Sequence, residues 1–479
     1  MIAMRRTQLS FGDGLIAAEV ADLREEWMSH ADLVLDDEQI VASVYEALAR
    51  RHPKSRSRGR PAAPAEVVLR LLVLKHVRNW SYGVLEREVR ANLVYRDFSR
   101  VGGGKVPDAK TMGRWGVALG PEVVRQIHER VVQIAQDKGV APGRRMRVDT
   151  TVVETNIHYP SDSTLLGDGV RVLTRAMKRI GAIAGDSGTR LRDRSRSVKL
   201  RLLDIMRAAR AQRSPRGKPQ SRERLRRAYG KLLDSTSRVV GQAKRFSAEI
   251  AQGVKQSTDI VKQLKLEGLR RQLDAMVPLL RQVMKQTRAR IFRGDTRAEG
   301  KLLSLFEPAT EVIRKGKAAK PNEFGKMVKL QEAENQIVVD YEVYDRRPND
   351  CDLLIPAIQV HEARLGRPPR LLAADAAFYS ARNEASAKAM GVKRVCIPNR
   401  STKSLERKRE QKKPWFRQGQ KWRTGCEGRI SVVKRRHGLD RCRYRGDAGM
   451  KRWVGLGVVA DNLLNLGRAL HAMENADSP

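Results

Sequence analysis

Three acids carry the phosphoryl chemistry this sequence could do: Asp149, Asp375 and Glu427. Asp149 stands in Arg147-Val148-Asp149-Thr150-Thr151-Val152-Val153-Glu154-Thr155. That run is dense in β-branched residues, which stiffen at Cβ and suit a pleated strand. Asp375 ends a short apolar strand, Arg370-Leu371-Leu372-Ala373-Ala374-Asp375, and Glu427 falls on a helix expected to begin near Thr424. A carboxylate in an apolar strand is costly unless it faces water or meets a cation. Two strand-borne Asp residues joined by a helical Glu favour the cation. Three hard oxygen donors suit Mg²⁺, with Mn²⁺ as a substitute, shared with the phosphate oxygens of a substrate. A pair of such ions activates a water or a 3′-hydroxyl on one side of phosphorus and stabilises the leaving oxygen on the other.

Around Glu427, Arg423 and Lys434 fall at offsets of −4 and +7, so a helix presents all three on one face. A surface salt bridge would account for Arg423 and Glu427, but not for two matching Asp residues on strands. Upstream, residues 400–424 interleave cations with Trp415, Phe416 and Trp422. That mixture is what a groove for backbone phosphates and unstacked bases requires. Asp340 and Asp352 are accessory acids of lower rank, and His158 and Tyr159 suit a turn after the first strand.

Composition points the same way. The chain has 95 Lys and Arg against 54 Asp and Glu, a net charge of +41 and a sequence pI near 10.8. A field of one sign over 479 residues implies a polyanionic partner. No apolar run reaches the roughly 18–20 residues of a spanning helix, and Met1 to Phe11 lacks the apolar core of a signal peptide. Nucleic acid is therefore the expected partner and a membrane is not. The four cysteines, Cys351, Cys396, Cys426 and Cys442, form no Cys-x-x-Cys pair, which argues against a zinc knuckle and a disulfide framework and fits a reducing cytoplasm.

The elements that must position these residues read as follows. Residues 15–51 are helical, with Ile16, Val20, Leu23 and Trp27 at helical spacing, and a basic linker spans 52–61. Amphipathic helices are expected over about 64–80 and 82–98. After the turn Gly102-Gly103-Gly104, Asp108 caps a helix that runs through Arg114 and Trp115. Short helices with basic faces suit a helix-turn-helix-like DNA reader, and equally a helical packing or dimerisation domain. Residues 171–320 are different in kind. They hold 39 Lys or Arg and 13 Asp or Glu, arranged on helical stripes such as Leu269, Leu273, Val277 and Leu280, with a break at residues 214–219. Such charge lays a track for phosphates. From residue 336 the pattern alternates strand, helix, strand, helix, strand, the logic of a mixed sheet covered by helices.

Val148-Asp149-Thr150-Thr151, Ala374-Asp375-Ala376-Ala377-Phe378-Tyr379 and the helix around Glu427 resemble the matching pieces of bacterial insertion-sequence DDE transposases. In many of these enzymes the last acid sits in a Tyr-x2-Arg-x3-Glu-x6-Lys pattern. Here Arg423, Glu427 and Lys434 match it, and Gln420 replaces the tyrosine. Residues 60–100 also resemble the helical domain that precedes the catalytic core in these proteins. The resemblance implies an α/β fold: an RNase H-like mixed sheet flanked by helices, with an N-terminal all-α domain and a large helical insertion. It places a DNA-binding domain at 1–140, a discontinuous catalytic domain at 141–170 and 321–472, and the basic insertion at 171–320. It further implies Asp149, Asp375 and Glu427 as metal ligands, and Arg423, Lys434, Trp415, Trp422 and Arg114 as DNA contacts. The partners would be double-stranded terminal inverted repeats and target DNA, held by a homodimer in a synaptic complex. Such an enzyme would be cytoplasmic and associated with the nucleoid. A nuclease of the same fold that cuts without joining, and a catalytically dead DNA-binding protein, are the alternatives.

Overall fold

The computed structural model describes residues 2–6, 11–51, 54, 56, 62–185, 189–213, 219–253, 259–314 and 321–477. Most of the linker expected at 52–61, and residues 214–218 of the expected break in the insertion, lie outside them. The chain divides into two units, residues 1–156 with 311–479, and residues 157–310.

The first unit opens with helices α1 (Phe11–Glu19), α2 (Glu26–Leu35), α3 (Glu38–Ala49), α4 (Ala65–Val77), α5 (Tyr82–Ala91), α6 (Leu93–Phe98) and α7 (Ala109–Asp137). Their starts are set by short polar side chains that satisfy free backbone donors. Asp37 accepts from the N–H of Ile40, Ser81 from that of Val84 and Asp108 from that of Thr111. Every residue of α4 is buried, so this helix is the centre of the helical layer rather than an amphipathic surface element. Two of its charges are answered by ion pairs: Arg70 pairs with Asp32 and Asp36, and Glu66 with Arg100. At Gly120-Pro121, α7 bends. Gly120 has φ +71°, which a side chain resists, and Pro121 cannot donate to the helix ladder.

Strand β1 (Arg145–Thr155) follows and is the middle of the sheet. The chain then leaves for the second unit, made of α8 (Asp162–Ala184), α9 (Ser195–Arg213), α10 (Pro219–Gly253) and α11 (Ile260–Phe292). These helices share one apolar core that includes Leu173, Leu232, Phe246, Leu273 and Leu280. Ser161 caps α8, and the buried Asp162 pairs with Arg290 at 2.7 Å. The unit begins at residue 157 and ends at 310, so the expected insertion at 171–320 gives up its tail to the sheet and takes in the segment directly after β1.

Back in the first unit come β2 (Glu311–Arg314), β3 (Asn322–Glu332), β4 (Val338–Val343), α12 (Leu354–Leu365), β5 (Leu371–Ala373), α13 (Ala381–Ala389), β6 (Arg394–Cys396), α14 (Leu405–Lys412), α15 (Pro414–Arg436), β7 (Arg441–Cys442) and α16 (Gly446–Asp477). Strand β3 runs antiparallel to β1, and both β2 and β4 run antiparallel to β3. On the other side β5 pairs parallel with β1, and β6 parallel with β5. Four strands in antiparallel pairings, β1 to β4, continued by the parallel β5 and β6, with helices on both faces, form the expected RNase H-like mixed sheet.

Helix α16 starts seven residues before the expected Trp453 and runs on past the expected Leu470. It packs against the sheet through Trp453, Val454 and Val458, and against the N-terminal helices through Val459, Leu463 and Leu466. The Asn462 amide completes the edge of β4, donating to the Val338 carbonyl and accepting from its N–H. Residues 1–140 thus share a core with the sheet through α16, with Ile337 and Val339 in the same cluster.

Candidate active site

Strand alternation decides where the acids go. Arg147 on β1 is the register partner of Ala373 on β5. Two residues further on, alternation carries Asp149 on β1 and Asp375, just past the end of β5 in extended backbone, to the same face of the sheet. That is the α15 face. Ala373 and Leu371 lie in a cluster with Trp415, Phe416 and Trp422, whereas Met146, Val148, Leu372 and Ala374 pack on α12 on the opposite side. Asp375 is the cap of the turn after β5, one carboxylate oxygen accepting from the N–H of Ala377 at 2.9 Å. Asp149 accepts from the N–H of Thr150 at 2.7 Å. Both acids are half-buried.

Helix α15 crosses over these strands, and it is longer than expected. It begins at Pro414, whose fixed φ and missing donor suit a first helical position, so Trp415 and Trp422 sit on the same helix as Glu427, and Glu427 is not one turn from its start. Close approach is made by glycines. A Cβ on Gly419 would stand 2.6 Å from the Cys396 Sγ on β6, and one on Gly425 would meet the Arg147 guanidinium. Cys426 is fully buried beneath the helix. Burial pushes its thiol well above the usual range, and the negative charges of Glu332 and Asp149 push the same way.

Arg147 seats the helix. Its guanidinium donates to both oxygens of the buried Glu332 at 2.8 Å and to the Trp422 carbonyl at 2.6 Å, and lies 4.9 Å from the Trp422 ring centre. Arg429, two residues beyond Glu427, pairs with Asp461 of α16 at 2.6 Å. Gln420, Arg423 and Glu427 recur on one flank of α15. Gln420 donates to the Cys396 carbonyl at 2.8 Å, at the carboxyl end of β6. Arg423 holds Glu427 at 3.0 Å.

The donor set suits a divalent ion bound through oxygen: two half-buried aspartates and an exposed glutamate. Among the described residues the three carboxylates do not converge within 4.8 Å of one another, as the ligand atoms of His30, His471 and Glu474 do. Glu427 is turned to Arg423, and ligation would require it to leave that partner. Asp340 is committed elsewhere, to Lys329 at 2.9 Å and Arg364 at 3.0 Å.

Of the residues expected to touch DNA, Arg114 is exposed on α7. Lys434 lines a groove of about 490 Å³ together with Arg435, Arg441 and Arg443. Trp415 packs on Phe416 and on Arg394, and Trp422 on Arg147, so both rings serve the seating of α15. Sequence reasoning missed Arg441 and Arg443, whose bearing on the site depends on β7 joining the edge of β1 at Glu154 and Thr155.

Residues 24–116 match the family described as "Transposase domain (DUF772)", and residues 382–466, which include Glu427, match "Transposase DDE domain". Asp149 and Asp375 lie outside both matches. A protein of Rhizobium meliloti described as "Uncharacterized protein ORF8 in nfe locus" is 31% identical over 147 residues, which cover 29% of this chain and 69% of that protein. No solved structure matches. The chain belongs to the bacterial insertion-sequence DDE transposases, a class of DNA-acting enzymes that generally use divalent metal ions. No described helix is long and apolar enough to cross a membrane.

Proposed function

We propose that this transposase binds the terminal inverted repeats of its element through residues 1–140, hydrolyses the strand at each end, and transfers the freed 3′-hydroxyl to target DNA. The observation that supports this reading is the parallel pairing of β1 and β5, from which strand alternation turns Asp149 and Asp375 toward the face of the sheet that α15 covers. Asp149, Asp375 and Glu427 would hold Mg²⁺, or Mn²⁺ in its place. When bound, the ions supply the positive charge that activates the attacking oxygen and stabilises the leaving one. Arg423 would hold Glu427 in position until it ligates. Lys434 and Arg114 would grip backbone phosphates, while Trp415 and Trp422 act on DNA through the helix they seat. The basic helices between β1 and β2 would run along further phosphates. Two copies would pair the two element ends in a synaptic complex at the nucleoid.

The test uses the full-length protein with duplexes cut from the two ends of its element. With Mg²⁺, the wild type should nick the end and join a pre-cleaved end to a target plasmid. Asp149→Asn, Asp375→Asn and Glu427→Gln should each lose both reactions by on the order of 10³-fold, the several kcal/mol a metal contact contributes, while still shifting the duplex in a gel. Nicking without joining would make it a nuclease of the same fold. Binding with no metal-dependent cleavage would make it a DNA-binding protein without catalysis.

A further inference from the structure

Far from the three acids in the chain, α2 and α16 bring together a second set of ligand-type side chains. His30 of α2 and His471 and Glu474 of α16 each offer one donor atom, and the three atoms lie within 4.8 Å of one another. The arrangement is built by the backbone. At Gly467, one turn before His471, a Cβ would come within 3.3 Å of the Trp27 Cα and 3.5 Å of the His30 Cβ, so the glycine lets the two helices approach closely. His471 and Glu474 then fall on the same face of α16 at a spacing of three residues. The two imidazole rings stand with centroids 6.2 Å apart at 64°, and the His30 Nε2 is 3.9 Å from a Glu474 carboxylate oxygen. His30 and His471 are half-buried, and Glu474 is exposed.

We propose that His30, His471 and Glu474 form a transition-metal site that fastens the carboxyl-terminal helix to the N-terminal helices. Two imidazoles and a carboxylate are a borderline-soft donor set that suits Zn²⁺ and leaves a fourth, tetrahedral position for water. It is a poor set for Mg²⁺, which prefers oxygen. Asn475, whose amide lies 3.1 Å from the His471 Nε2, stands where an outer partner would fix the ring. With the amide oxygen turned inward it would accept from Nε2–H and leave Nδ1 to ligate. Because α16 also supplies Asp461 to Arg429 of α15, the metal would brace the helix that backs the catalytic face.

The experiment uses the full-length, tag-free chain, with ZnCl₂ titrated calorimetrically and by thermal melting in chelator-treated buffer. The expected result is one tight Zn²⁺ per chain and a rise in melting temperature on the order of 5 °C at saturation. His30→Ala and His471→Ala should weaken that binding at least about tenfold and abolish the rise, while melting like the wild type in EDTA. Glu474→Gln should weaken it less. Millimolar Mg²⁺ should not compete, and Asp149→Asn should leave it unchanged, which separates this site from the catalytic one. Zn²⁺ binding that is absent in the wild type, or equal in both His variants, would overturn the proposal. Should His471→Ala melt early in EDTA, His471→Gln, closer in size, takes its place with the same expected loss.

Discussion

Arg147 on β1 and Glu332 on β3 are register partners whose side chains meet through two hydrogen bonds of 2.8 Å, with both residues buried beneath α15. A buried ion pair adds little when intact, because desolvation offsets the attraction, yet removing one partner strands the other. Arg147→Ala should therefore cost about 3–5 kcal/mol of unfolding free energy in urea titrations. The double variant Arg147→Met, Glu332→Leu should recover most of that loss. Equal losses in both would show that the pair is not the source.

Gly419 is the point of closest approach between α15 and β6. Gly419→Val puts branched carbon into space held by the Cys396 Sγ, 2.6 Å from the Cβ position, and should destabilise by about 1–3 kcal/mol. Because the same helix carries Glu427, end cleavage should fall by more than DNA binding. A variant with wild-type cleavage would mean that α15 does not set the site.

Lys75 is buried in α4 with no ion-pair partner among the described residues, its ammonium 4.7–5.1 Å from the ring centres of Trp453, Tyr82 and Tyr444. Burial pulls its pKa down to about 7, with Arg443 pushing the same way. Between about pH 7 and the ordinary lysine range, the unfolded chain then binds a proton that the folded chain does not. Stability should rise with pH across that window, by at most about 1.4 kcal/mol per pH unit. Lys75→Met should flatten this slope and gain most at pH 7. A slope that persists in the variant would assign it to other groups.

The groove of Lys434, Arg435, Arg441 and Arg443 makes an electrostatic claim. If it holds phosphates, Arg435→Ala with Arg443→Ala should weaken binding to every duplex alike. It should also reduce the slope of log K against log salt by roughly two. An unchanged slope would place the DNA elsewhere.

Much of the site was legible because its signals are local. β-Branching marks β1, Ser380 caps α13 by accepting from the N–H of Asn383, and the helical offsets of Arg423, Glu427 and Lys434 survive intact. Strand β3 was not legible. Asn322–Glu332 contains Glu323, Lys326, Lys329, Gln331 and Glu332, a solvated pattern by composition, yet all five are buried. Their charges are answered from distant positions, Lys329 by Asp340 and Glu332 by Arg147, and no local window contains those partners. The same holds for α4, where Arg70 and Glu66 are neutralised by α2, by Asp36 just beyond it, and by Arg100. His30 and His471 lie at opposite ends of the chain, so only the packing of α16 on α2 reveals them.

The chain leaves the sheet after β1 and returns at β2, and the two ends of that excursion are nearly neighbours. Glu154 pairs with Gly325, and Gly325 with Glu311. Exit and return are thus two strand spacings apart, about 10 Å, which a bridge of roughly four residues can span. Residues 157–310 are thus a cassette in the chain between β1 and β2, so an element could acquire, shorten or exchange it without unthreading a single strand.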